Sequence, residues 1–322
     1  MPNGKYTEDI MLRIGTQSDN WYFDSDPDGS IAYIKSCGFS AVDFNLNAYI
    51  KVGELEKREP PYTSFYDKSV EELYEYFAPL KEACEKHDVV IAQIHAPFPT
   101  WLNGKTELND YLVMVLEKCC AVSAFLNCPG IVVHPVHGAG DGEMDANLWL
   151  YRRLIPAAKK YGVKILLENI FARFNGRFIQ GRMSSPDVAC KYFDMLTEEA
   201  GFDAFGFCFD VGHAIVTCQN IPEFIRALGH RLTNLHIHDN NGLDDLHLLP
   251  YTCVTTKADL VCDWDGVVNA LKDIGYRGAL CFETFRALRV TPPAIWTEVL
   301  KLNSAIGRHW SDVILGEEKC EG

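Results

Sequence analysis

Short runs of β-branched and aromatic residues alternate along the chain with longer segments of helical periodicity. That alternation is the mark of βα units arranged around a parallel sheet. Eight runs predict strands: Met11 to Thr16, Ala41 to Leu46, Val89 to His95, Gly130 to Pro135, Lys164 to Asn169, Phe205 to Asp210, Leu232 to His238, and Gly278 to Glu283. Between them the spacing predicts helices, among them Ser69 to His87, Glu107 to Phe125, Ala146 to Tyr161 and Asp265 to Ile274. Eight units are what a closed (β/α)8 barrel needs, whereas a doubly wound sheet more often holds roughly five to seven strands. The expected fold is therefore α/β, a barrel forming one domain over residues 1–322, since no internal repeat, low-complexity tract or Pro/Gly/Ser-rich linker divides the chain. Residues 49–68 and 171–185 are too long for tight βα turns and are expected as loops at the barrel mouth, closing over substrate.

Composition narrows the function classes. Hydrophobic residues make up 48% of the 322, enough for a large core, and the net charge of −14 disfavours nucleic acid and anionic membrane as partners. Met1 to Ile14 contains Lys5, Glu8, Asp9 and Arg13 with no apolar signal region, and no apolar run approaches the ~18 residues of a spanning helix. The expected location is cytoplasmic. Twelve cysteines are scattered from Cys37 to Cys320 without a C-x-x-C pair, so reduced core cysteines are expected.

The chemistry gathers at the strand ends. Six successive predicted strands, the third to the eighth, end in metal-competent side chains: His95, His134, Glu168, Asp210 with His213, His236 with His238, and Glu283. Barrel strands present these ends on one face. A buried carboxylate without a partner costs several kcal/mol, and one divalent cation satisfies several at once. Glu168, Asp210, His236 and Glu283 form a mixed oxygen and nitrogen set suited to Mn²⁺, Mg²⁺, Co²⁺ or Zn²⁺, without thiolates that would select zinc. His95, His134, His213, Asp245 and His247 form a second group, fitted either to further metal sites or to orienting substrate hydroxyls. Gly138 to Gly142 lacks dinucleotide spacing and reads as a loop rather than a phosphate cradle. Arg173, Arg177 and Arg182 read as a solvated basic loop, with phosphate or carboxylate binding as the alternative. Trp21, Tyr22, Phe98 and Trp101 follow strand ends, where rings either stack on a sugar or pack the rim.

These residues resemble the xylose-isomerase-like TIM-barrel superfamily, and within it the sugar phosphate isomerase/epimerase proteins. The most specific stretch is His236-Ile237-His238-Asp239-Asn240, followed by Asp245-Leu246-His247-Leu248-Leu249-Pro250 and Asp263-Trp264. The resemblance places one divalent metal, Mn²⁺ first, on Glu168, Asp210, His236 and Glu283. His95, His134, His213, Asp245 and His247 also match the additional zinc ligands of endonuclease IV-type repair enzymes. Those enzymes carry a histidine near the first strand's end, where this chain reads Gly15-Thr16-Gln17-Ser18. Many isomerase relatives have a short Gly-rich turn where this chain has Tyr251 to Lys257, a loop expected over the mouth.

The activity so implied is a metal-dependent isomerase or epimerase acting on a keto-sugar through a metal-stabilised enediolate. Glu168 and Glu283 are its base and acid, His213 and His238 contact hydroxyls, and Trp21, Phe98, Trp101 and Arg173 contact substrate. The alternatives are a C-glycoside lyase working with a small β-sandwich subunit, an endonuclease IV-like phosphodiesterase, and a non-catalytic barrel. The expected partners are a small sugar or glycoside and either further copies of the chain or that small subunit.

Overall fold

A computed structural model of the chain describes residues 11–136, 142–257 and 259–316. All eight predicted strands form: β1 (Ile14–Gln17), β2 (Ala41–Asn45), β3 (Val90–His95), β4 (Gly130–Val132), β5 (Lys164–Glu168), β8 (Phe205–Asp210), β9 (Leu232–His236) and β10 (Leu280–Phe282). The two numbers between belong to a small hairpin, β6 (Phe171–Phe174) and β7 (Arg177–Gln180). The eight strands pair in parallel in the order β10-β1-β2-β3-β4-β5-β8-β9. The ring is drawn together just past β9, where Ile237 N donates to Cys281 O at 2.9 Å and Glu283 N donates to Ile237 O at 3.0 Å. The result is an eight-stranded parallel barrel with its helices outside.

Parallel strands buried on both faces read as continuous apolar runs, and here nearly every strand residue is buried. The four expected helices appear as α3 (Val70–His87), α4 (Thr106–Phe125), α5 (Glu143–Tyr161) and α9 (Trp264–Asp273). Their starts are written locally. Ser69 and Glu72 form a reciprocal capping box on α3, and Asp263 accepts from Gly266 N at the head of α9.

The segment 171–185 departs from the expected loop, because it contains the β6–β7 hairpin. Asn175 and Gly176 both take positive φ, 49° and 74°, the turn whose twist matches that of its two strands. Residues 49–68 hold only short turns of helix, among them Val52–Leu55 and Phe65–Asp67. The Gly138 to Gly142 segment lies, apart from Gly142, outside the described residues. No helix among the described residues is long and apolar enough to cross a membrane, and the cysteines described are all free.

Candidate active site

His236, at the end of β9, is fully buried. Its Nδ1 lies 3.2 Å from Glu168 Oε1, 3.8 Å from Asp210 Oδ2 and 3.8 Å from Glu283 Oε2. Three carboxylates from three strand ends thus surround one imidazole nitrogen, and Glu168, Asp210 and His236 bring ligand atoms within 4.8 Å of one another.

Each carboxylate is held by its neighbours. The Asn169 side chain brackets the Asp210 backbone, donating to its carbonyl and accepting from its N–H, both at 2.8 Å. Asp210 Oδ1 accepts from His213 N at 2.6 Å, capping α7 (Val211–Val216), and its two oxygens lie 3.1 and 3.2 Å from His238 Nε2. Gly212 is required here, since a Cβ at that position would overlap the His238 ring. Gln17 Nε2 donates to Glu283 Oε1 at 2.7 Å, leaving Oε2 to face His236.

Two groups flank this centre. On one side His134 Nε2 lies 3.1 Å from His95 Nε2 and 3.0 Å from Glu168 Oε2, and Phe98 stacks on His134 with centroids 4.6 Å apart. On the other, Asp245 Oδ2 lies 3.1 Å from His247 Nε2 and 3.9 Å from His213 Nε2. Asn240 clamps this second loop: its Oδ1 accepts from the backbone N–H of Leu246 and His247, and its Nδ2 donates to Gly212 O. His247 is held at φ +49°, a left-handed conformation uncommon outside glycine.

The electrostatics follow from burial and partners. Burial would raise Glu168, but His134 and His236 outweigh it and hold the carboxyl well below its usual range. Burial pushes Glu283 up to about 8, with Asp210 and Asp43 adding repulsion against the pull of His236 and His247. Burial, reinforced by His134 and His236, pushes His95 down to about 4. Burial works against protonated His247 too, yet Asp245 and Glu283 carry it up to about 9.

A family model described as xylose isomerase-like TIM barrel matches residues 31–304. The chain belongs to this family. A Methanocaldococcus jannaschii relative, uncharacterized protein MJ1311, is 29% identical over 217 residues, 63% of this chain and 67% of that one. Uncharacterized protein y4fM of Sinorhizobium fredii is 35% identical over 94 residues, 29% of this chain and 28% of that one. Among solved structures, a D-tagatose 3-epimerase-like protein superposes with a TM-score of 0.67 at 21% identity, covering 95% of this chain and 99% of the other. The 3-keto-D-glucoside 4-epimerase of E. coli does so with a TM-score of 0.67 at 16% identity, covering 92% and 99%.

The mouth of this xylose isomerase-like barrel is a cleft of about 370 Å³, lined by residues that include Gln17, Phe98, His134, Glu168, Phe171, His213, Asp245, His247, Glu283 and Phe285. Asp210, His236 and His238 are fully buried and touch the cleft's residues from within. His238 therefore does not reach the cleft to contact a hydroxyl, as the sequence suggested; it orients Asp210 instead. Trp21 is also displaced from its expected role, being 2% exposed with its Nε1 donating to Gln17 O at 2.6 Å. Phe98 lines the cleft and Trp101 does not. Arg173 sits on the hairpin over Phe178, beside a neighbouring hollow that shares Asp245 with the cleft. Arg182 pairs with Glu143 at 2.9 Å. The loop Tyr251 to Lys257, expected over the mouth, contributes no residue to the cleft; Tyr251 instead accepts from Trp310 Nε1.

Sequence reasoning missed Gln17 as the partner of Glu283, and it missed Asp43, whose Oδ2 lies 2.9 Å from His236 Nε2. A carboxylate inside Ala41-Val42-Asp43-Phe44 was the available signal, since nothing in an apolar parallel strand accounts for it.

Proposed function

We propose that the protein is a divalent-metal-dependent isomerase or epimerase acting on a small keto-sugar. The observation that carries this reading is the ring of Glu168, Asp210 and Glu283 oxygens around His236 Nδ1. Three buried carboxylates so close together call for a compensating cation, beyond what the imidazoles of His134 and His236 supply. The donor set fits: Glu168, Asp210, His236 and Glu283 would hold the ion, and their oxygens and one nitrogen suit Mn²⁺, Mg²⁺, Co²⁺ or Zn²⁺, with no thiolate to select zinc. Its service would be to polarise neighbouring oxygens of the sugar.

The chain's own groups do the rest. Glu168 takes the proton from the carbon beside the carbonyl, and Glu283 returns one from the other side. His213 donates from Nδ1 to Asn169 O at 3.0 Å, which fixes its ring and leaves Nε2 for a substrate hydroxyl. Phe98, Phe171 and Phe285 supply apolar wall for the sugar's C–H faces. The epimerase names of the similar solved barrels support sugar chemistry. The test is solvent-deuterium exchange at the carbon beside the carbonyl, followed by NMR across a panel of keto-sugars. Wild type exchanges, and full exchange retained by Glu168→Gln or Glu283→Gln refutes the assignment.

A second reading has its own observation: His95, His134 and Glu168 form one further set of ligand atoms within 4.8 Å of each other, and His238, His247 and Glu283 form another. Additional cations there would favour phosphodiester hydrolysis, against which the net charge of −14 stands. Metal content per chain separates the two.

A further inference from the structure

Asp43 stands in the middle of β2, 1% exposed, where the β2–β3 register shifts between Val42 and Asp43. Such an irregularity re-aims a side chain. Its Oδ2 accepts from Gln93 Nε2 at 2.9 Å and lies 2.9 Å from His236 Nε2, within ion-pair range though not aligned as a hydrogen bond. Asp43 Oδ1 has no hydrogen-bond partner. A carboxylate in a barrel interior is costly, and Gln93 alone is a weak neutral compensation. The Nε2 edge of the His236 ring is the other polar group that meets it.

We infer that Asp43 is a positioning residue, which keeps a proton on His236 Nε2 and thereby leaves the Nδ1 lone pair directed at the ring of carboxylates. The inference rests on the metal-centre reading above and adds to it the reason that Nδ1 serves as the ligand atom. A neutral imidazole has one lone pair, and which nitrogen carries it is decided by what the other one meets. With a carboxylate at Nε2, the proton belongs there. Without it, Glu168, Asp210 and Glu283 would attract the proton to Nδ1, and an arriving cation would have to displace it. Gln93, fully buried and donating to the same oxygen, holds Asp43 in place from the third strand.

The experiment titrates Co²⁺ into metal-stripped wild type, Asp43→Asn, His236→Ala and the double variant, reading the visible d–d absorption and the affinity against a competing chelator. In Asp43→Asn the amide can donate to Nε2 and reverse the tautomer, so affinity should fall about 10–100-fold with an altered spectrum. Placed on His236→Ala, the same substitution should cost nothing more, because its effect passes through that ring. Wild-type affinity in Asp43→Asn, or an equal loss with and without His236, overturns the inference. Failure of wild type to bind Co²⁺ instead overturns the metal-centre reading itself. Should Asp43→Asn not fold, long-range ¹H–¹⁵N NMR of metal-stripped wild type decides the matter. A proton on His236 Nε2 is expected, and one on Nδ1 overturns it.

Discussion

His95 and His247 belong to opposite flanks of one cleft, and their surroundings drive them in opposite directions. His95 meets two other histidines, His134 at 3.1 Å and His236 stacked with centroids 5.5 Å apart, and burial with that repulsion takes it down to about 4. His247 is as deeply enclosed but meets Asp245 at 3.1 Å and Glu283 at 3.6 Å, and it rises to about 9. Even stacking on another imidazole does not reverse this: His238, 3.9 Å away by ring centroid, is lowered by its own burial while His247 goes up. The lesson is that burial sets a starting cost which neighbouring charges overcome at His247 but not at His95, nor at His238 even with Asp210 at 3.1 Å. His95 on one flank favours the neutral ring, His247 on the other the protonated one.

The largest effect should come from the residue shared by the centre and the neutral flank. Glu168→Gln removes the carboxylate that His134 approaches at Oε2 and His236 at Oε1, and solvent exchange into a keto-sugar substrate should slow by about 10²–10⁴-fold as measured by NMR. Next in size is the metal inventory. Mass spectrometry of the purified protein should find about one divalent ion per chain in wild type, His134→Ala and His247→Ala alike if the flanks serve substrate. A count near three that drops with either variant would make both flanks metal sites and erase the functional contrast.

The contrast itself can be measured through pH. In metal-stripped protein the raised His247 contributes stability that is complete below pH 6.5 and lost as pH rises through about 9. The destabilisation caused by His247→Gln should therefore be greatest at pH 6 and fade by pH 9. His95 is lowered, so its folded form stays neutral while the unfolded chain takes up a proton, and stability falls as pH drops from 6.5 towards 4. His95→Gln should flatten that acid limb alone. Thermal melts across the range check both, and matching slopes for the two variants would break the comparison. The smallest effect belongs to Val254→Ser, on the exposed loop outside the cleft, which should alter stability by no more than about 0.5 kcal/mol and leave exchange unchanged.

The barrel was legible because parallel strands advertise themselves as short apolar runs, and the meeting of Glu168, Asp210, His236 and Glu283 because each ends such a run. What stayed hidden has physical causes. Asp43 works across the ring, from β2 to His236, and Gln17 works between the paired neighbours β1 and β10, the first and last strands in sequence; both depend on a closure that local periodicity does not describe. Trp21 looked like a stacking platform because aromatic residues serve rim and core equally well; only its bond to Gln17 O tells which. The hairpin was readable in principle, since Asn175-Gly176 between Phe-rich runs is a turn signal that segment length alone obscures. The reach of the loop after β9 depends on Asn240, whose side chain turns residues 245–247 back onto the mouth while 251–257 pass away from it.

The order in which the ring is assembled bears on how the protein is born. Glu283 sits one residue beyond β10, the last strand made, and β10 docks between β1 and the end of β9. A chain emerging from the ribosome therefore possesses three of the four residues of the buried cluster before it possesses the fourth. Truncated products that stop before the closing strand would lack that last carboxylate, so the cluster is complete only once the ring can close.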